Sequence, residues 1–167
     1  DVVVLDIFTY AGHEENLAHI GGTGRVEVVR GNIVDSELVQ RLLLRHQIDW
    51  VVNFAAESHV DRSIEGPAAF IDTNVLGVFS MLDASHRYYQ GLTGAKRERF
   101  RFLQVSTDEV FGSLGDTGKF SETTPYAPNS PYSASKASGD HLGRAWFHTY
   151  KLPVLTTNCS NTYGPKQ

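Results

Sequence analysis

Cysteine is almost absent: Cys159 is the only one in 167 residues. That excludes an internal disulfide and leads us to expect a reducing compartment, the cytoplasm. Long apolar runs are missing too. None approaches the ~20 residues needed to cross a bilayer, and no basic-then-apolar leader is visible, so no membrane partner is expected. Positive charge is not in excess, with 15 Lys and Arg against 19 Asp and Glu and a net charge of −4. A nucleic-acid-binding face would need the opposite balance. No His, Cys and Asp cluster has metal-ligand spacing, so no metal is expected. Repeats, low-complexity tracts and interdomain linkers are lacking as well, and residues 1–167 read as one domain. What is present is a globular composition, 41% hydrophobic and 20% charged, enough to build a core.

Short apolar runs alternate with segments of helical periodicity. Val2-Val3-Val4-Leu5, Val26-Glu27-Val28-Val29-Arg30, Trp50-Val51-Val52-Asn53-Phe54, Phe100 to Val105 and Pro153 to Asn158 read as strands. Between them, a short helix is expected around Glu14 to Ile20, and another after a cap at Asp35 or Ser36. A third should run over 67–89 with Pro67 in its first turn, and a fourth over 132–150. Gly21-Gly22-Thr23-Gly24 imitates a phosphate loop, but a strand follows it instead of a helix, so it reads as a turn. Glu57 to Ser63 and Lys96 to Arg99 read as connections, and His59 as a packed loop histidine.

The alternation predicts an α/β fold, a Rossmann-like doubly wound parallel sheet with helices on both faces. Right-handed crossovers gather the carboxyl ends of the strands at one edge. Asp6, Asn32, Ala55, Thr107 and Asn158 all fall there. Asp6 closes its strand where an acid would bind an adenosine ribose 2′-hydroxyl, which favours NAD over NADP.

The densest chemistry lies between Phe100 and Lys136. Tyr132 and Lys136 are four apart, on one helix face. An ammonium there should lower the phenol's pKa and make it a base for a hydroxyl. Thr107 stands at the end of the preceding strand, where a partner for the phenol belongs. Asp108 and Glu109 come directly after it. Adjacent carboxyls can be pushed apart in pKa, one serving as acid and the other as base.

These stretches, with Thr9-Tyr10-Ala11-Gly12, Ala55 to Ile64, Pro131 to Ala137 and Asn158-Cys159-Ser160-Asn161, resemble the extended short-chain dehydrogenase/reductase family, in particular its members that dehydrate nucleotide sugars. The resemblance spreads over nearly the whole chain. It implies NAD as cofactor, bound by Asp6, Asn32, Ile33, Ala55, Ala56 and Thr73 together with Tyr132 and Lys136. It implies a nucleotide-sugar substrate, touched by Ser58, Thr107 and Asn158. Tyr132, Thr107 and Lys136 would serve oxidation at C4, with Glu109 as base and Asp108 as acid for water loss across C5–C6. Asn32 stands where the family more often has Asp, and Phe111 where Tyr is common. Both ends of the chain suggest part of a longer protein, lacking a first strand with its Gly-rich turn and a C-terminal substrate region. Helices 67–89 and 132–150 would pair a homodimer. The rivals are a 4-epimerase or decarboxylase of the same fold, which needs no paired carboxylates, and a non-catalytic NAD-binding protein.

Overall fold

The computed structural model describes residues 1–22, 24–161, 163 and 164. Five parallel strands run β1 (Val2–Asp6), β2 (Val26–Arg30), β3 (Trp50–Asn53), β4 (Arg101–Thr107) and β5 (Val154–Cys159). They form two hydrogen-bonded pieces, β1-β2 and β3-β4-β5. Register aligns Asp6 with Arg30 in the first piece. In the second it aligns Asn53 with Gln104 and Ser106 with Asn158. The parallel Rossmann-like order is the expected one, but the break means that a single continuous ladder is not formed among the described residues.

The helices are α1 (Ala18–Gly21), α2 (Ser36–His46), α3 (Val60–Glu65), α4 (Pro67–Ile71), α5 (Val78–Gln90), α6 (Gly94–Arg99) and α7 (Pro131–Tyr150). A turn of 3-10 helix over Glu14–Leu17 leads into α1, and another over Asp108–Phe111 succeeds β4. Of the expected Gly21–Gly24 turn, Thr23 lies outside the described residues, while Gly24 takes a φ of +69°.

Helices α2 and α7 each start for a local reason. Asp35 Oδ1 accepts the Leu38 amide at 2.9 Å and caps α2. Ser130 caps α7 reciprocally, its hydroxyl taking the Ser133 amide at 3.0 Å while the Ser133 hydroxyl takes the Ser130 amide at 3.0 Å, with Pro131 at the first helical position. The helix expected over 67–89 is there, but it has a π-helical stretch, Asp72–Gly77, between α4 and α5. Two glycines frame that stretch. A Cβ at Gly77 would come within 2.6 Å of Ile33 Cδ1, and one at Gly139 within 3.2 Å of the Asn74 carbonyl. These contacts let the loop after β2 and helix α7 press directly on the widened turn.

Two connections turn out to be helical. The segment read as a polar loop contains α3, where the Ser63 hydroxyl donates to the Val60 carbonyl at 2.6 Å in a fully buried position. The basic segment Lys96 to Arg99 lies in α6, held by the Arg97 guanidinium over the Tyr89 ring at 3.9 Å and bonded to the Tyr89 carbonyl at 2.6 Å. Their polar composition hid helices too short to show an apolar period.

The core gathers Ile33, Val39 and Leu43 with Val78, Leu82 and Phe102. Helix α2 packs on α5, α5 on α7, and α7 on β4 and β5. Along β3 burial alternates, Val51 and Asn53 buried and Trp50 and Val52 exposed. One face of that strand is therefore covered by this helical layer and the other is open. The buried polar residue of β3, Asn53, donates to Gln104 Oε1 of β4 at 2.9 Å, so the pair satisfies itself inside the core.

Candidate active site

The carboxyl ends of β3, β4 and β5 lie side by side, and the site is built from the segments that leave them. Thr107 ends β4 and is buried. Its hydroxyl accepts the Glu109 amide at 3.2 Å and donates to Asp108 Oδ1 at 3.3 Å. The 3-10 turn that carries both carboxyls is thus fixed to the strand end by the very hydroxyl expected to serve the chemistry.

Tyr132 sits in the first turn of α7, where the helix dipole favours negative charge. Its ring meets the edge of Phe70 at 6.3 Å. Burial pushes the phenol's pKa up from its ordinary value. The Thr107 hydroxyl pulls it down, and the charges of Glu109 and Asp108 push it up again. This corrects the expected depression by Lys136. The Lys136 ammonium is buried and donates to the Val105 carbonyl at 2.8 Å. Burial pushes Lys136 down, with Asp140 and then Cys159 opposing. Burial, and next the Asp108 charge, pushes Glu109 up. A carboxylate with raised proton affinity is a stronger base.

The other sequence candidates spread along the same edge. Asp6 is half-buried at the end of β1, its Oδ1 accepting the Phe8 amide at 2.7 Å. Asn32 Oδ1 accepts the Val34 amide at 3.1 Å. The Ile33 side chain belongs to the core, packed under Gly77, so its backbone is what remains for a ligand. Asn32 and Thr73 line one cavity of about 500 Å³ between the loop after β2 and the π-helical stretch. Ala55, Ala56 and Ser58 are half-buried in the loop after β3. Asn158 directs its amide nitrogen to the Thr107 carbonyl at 3.2 Å and to Asp140 at 3.3 Å, which leaves its oxygen for other contacts. His59 is exposed, not packed, and takes a φ of +76°. A non-glycine residue there stores strain. Across the break between the two sheet pieces, Tyr10 donates to Glu57 at 3.0 Å, and Arg62 lies over the Tyr10 ring at 3.7 Å.

Sequence reasoning passed over four residues that organise this site, Asn74, Ser106, Tyr126 and Asp140. Asn74, fully buried in the π-helical stretch, exchanges two bonds with the Glu57 backbone and donates to Ser135. Ser106 and Tyr126 both donate to Asp140, at 2.7 and 3.0 Å. Asn74 and Ser106 could have been suspected as polar residues at positions where a core side chain is due. Tyr126 lies in an irregular loop and carried no signal.

Parallel strands whose ends meet a Tyr-x-x-x-Lys helix beside a strand-end threonine define a short-chain dehydrogenase/reductase architecture. Comparison with known proteins narrows this. The family model described as GDP-mannose 4,6 dehydratase matches residues 1–167, and the chain belongs to that family. It is 64% identical over 164 residues to a dTDP-glucose 4,6-dehydratase of Xanthomonas campestris pv. campestris, covering 98% of this chain and 47% of the relative. The crystal structure of DesIV, a dTDP-glucose 4,6-dehydratase from Streptomyces venezuelae with NAD bound, superposes with a TM-score of 0.89 at 45% identity, over 100% of this chain and 48% of that one. The UDP-glucose 4-epimerase of Thermus thermophilus, in complex with NAD, gives 0.85 at 28% identity, covering 100% and 49%. The chain spans about half the length of the relatives it matches.

Proposed function

We propose that the protein removes water from a hexose carried on a nucleoside diphosphate, converting dTDP-glucose to its 4-keto-6-deoxy derivative with NAD as a regenerated cofactor. The observation that carries this reading is the junction of β4 and the turn after it. Thr107, Asp108 and Glu109 are consecutive, share hydrogen bonds, and all act on the Tyr132 phenol. An enzyme that only oxidises and reduces at C4 has no use for two carboxyls at that point.

The residues present fit the cofactor. An acid closes β1, small residues succeed β3, and the cavity of about 500 Å³ lies between Asn32 and Thr73. Asp6 would hold the adenosine ribose, Asn32 and the Ile33 backbone the adenine side, Ala55, Ala56 and Thr73 the length of the dinucleotide, and Lys136 the second ribose. When bound, NAD supplies a hydride acceptor at C4 and a donor at C6, so no net oxidation occurs.

The chain's own residues move the protons. Tyr132, with Thr107 beside it, takes the proton of the C4 hydroxyl. The ketone so formed acidifies the C5 hydrogen, which Glu109 removes, while Asp108 protonates the departing C6 hydroxyl. The C5 proton is then returned. Ser58 and Asn158 are assigned to the sugar nucleotide. The substrate class is supported by the relatives' activity, and the low sequence identity to the 4-epimerase weighs against that rival.

A homodimer through residues 67–89 and 132–150 is part of the same proposal. Ile71, Leu76, Phe79, Phe147 and Tyr150 on these helices are exposed apolar side chains, a pattern that suits a partner helix pair. The cytoplasm is the proposed location, in keeping with one free thiol. The test uses protein expressed from its complete reading frame, incubated with dTDP-glucose and NAD. A 4-keto-6-deoxy product with its chromophore in alkali is expected. Recovery of the 4-epimer alone would assign the protein to the rival class.

A further inference from the structure

Asp140 is one helical turn beyond Lys136 on α7 and is 4% exposed. Three donors from three different segments converge on its Oδ2. They are the Ser106 hydroxyl of β4 at 2.7 Å, the Tyr126 phenol of the preceding loop at 3.0 Å, and the Asn158 amide of β5 at 3.3 Å. Its Oδ1 is buried and has no hydrogen-bond partner among the described residues. A buried carboxylate oxygen left unpaired is costly. A neutral side chain would bind β4, β5 and the loop together at lower cost, so the charge itself has a use.

Lys136, one helical turn back on α7, is the buried cation on which the Asp140 charge acts. Its hydrogen bond is to a neutral acceptor, the Val105 carbonyl. An ammonium buried without a counter-charge releases its proton near or below neutral pH. We propose that Asp140 is a positioning residue whose carboxylate keeps Lys136 in its ammonium form and, through Asn158, fixes the end of β4 that carries Thr107. This rests on the function proposed above, in which a cationic Lys136 holds the cofactor ribose.

On α7, His141, Arg144 and His148 line one cavity of about 490 Å³ with Asp140 and Tyr126, and the His141 ring meets the Tyr126 ring edge to face at 4.9 Å. On α7 itself Tyr132 precedes Lys136, and from β5 Cys159 faces it. From the loop, Tyr126 is pushed up to about 12, by burial first and the Asp140 charge second, so it donates to Asp140 at every working pH. From the turn after β4, Asp108 and Glu109 act on Tyr132. Burial drives Lys136 and Asp140 both toward their neutral forms. Each one's charge opposes the shift in the other, and the donors to Oδ2 add to this for Asp140.

Removing the Asp140 charge lowers the proton affinity of Lys136, so activity should be lost at a lower pH on the alkaline side. The test compares Asp140→Asn, which keeps size and an acceptor oxygen, with the wild type, using protein from the complete reading frame. We expect the alkaline limb of kcat/KM to move down by about one pH unit, a tenfold change in proton affinity. A lower melting temperature with the limb unmoved would overturn the inference, since a purely structural role predicts that. If Asp140→Asn does not fold, carbon-13 NMR of labelled lysine in the wild type decides. A Lys136 resonance still protonated at pH 8 supports the counter-charge, and one neutral at pH 8 overturns it. Absence of product from the wild type would sink the proposed function, while the NMR titration would still report on Asp140.

Discussion

Asn74 and Ser135 are 61 positions apart in the chain, yet the Asn74 side-chain nitrogen donates to the Ser135 hydroxyl at 2.9 Å. The same nitrogen donates to the Glu57 carbonyl at 3.0 Å, and its oxygen accepts the Glu57 amide at 2.9 Å. One buried amide therefore ties the loop after β3, the π-helical stretch and the helix bearing Tyr132 and Lys136. Ser135 completes the chain by donating to the Tyr132 carbonyl at 2.7 Å.

Asn74→Leu should destabilise the protein by about 2–3 kcal/mol, because it leaves the Glu57 amide and carbonyl and the Ser135 hydroxyl short of partners inside the protein. The midpoint of chemical denaturation measures this. An unchanged midpoint would mean that water replaces the lost bonds.

Tyr132→Phe keeps the ring against Phe70 and removes only the hydroxyl. Turnover should fall by about 10²–10⁴-fold, the usual worth of a positioned acid–base group, with the melting temperature unchanged. Single-turnover absorbance of the reduced cofactor locates the loss at the first step.

Glu109 has its proton affinity raised by burial and by Asp108. As a base it must be ionised, so activity should fall as pH drops through a pKa raised above that of an ordinary glutamate. The stability effect has the opposite sign. A carboxyl whose folded pKa is raised adds stability below its unfolded pKa, and that contribution disappears as pH rises through the folded value. Glu109→Gln should therefore raise the melting temperature at pH 8 relative to wild type and lose the advantage near pH 4. Combined with Asp108→Asn, it should spare C4 oxidation and stall water loss. Full product release by the double variant would refute the role assignment.

Ser130→Ala removes half of the reciprocal cap on α7. A cost of about 1 kcal/mol is expected, read by thermal unfolding. Because Tyr132 lies in the turn that this cap holds, kcat should decline with KM little changed. Gly at the same position should recover most of the stability.

The order of elements, the parallel arrangement and the gathering of Asp6, Thr107 and Asn158 at one edge were legible in the residues. Period, turn chemistry and crossover handedness are local rules that composition expresses directly. That Thr107, Asp108 and Glu109 come close to Tyr132 was legible for the same reason, since each sits at a strand end, in the turn after it or at a helix start. The helices α3 and α6 were not, because six mostly polar residues are too few to display a helical repeat.

What tertiary structure alone decided is the electrostatic state of that set. The expectation that Lys136 would depress the Tyr132 phenol came from four-residue spacing on one helix. Burial reverses the direction for Tyr132. Lys136 turns to the Val105 carbonyl, with the Asp140 charge opposing the effect of its burial. Nor could spacing reveal that Ser106, Tyr126 and Asn158 converge on Asp140, or that Asn74 reaches Ser135. Such contacts depend on which faces of distant segments are pressed together. Desolvation is likewise a property of the assembled core, so it is absent from any local stretch of sequence.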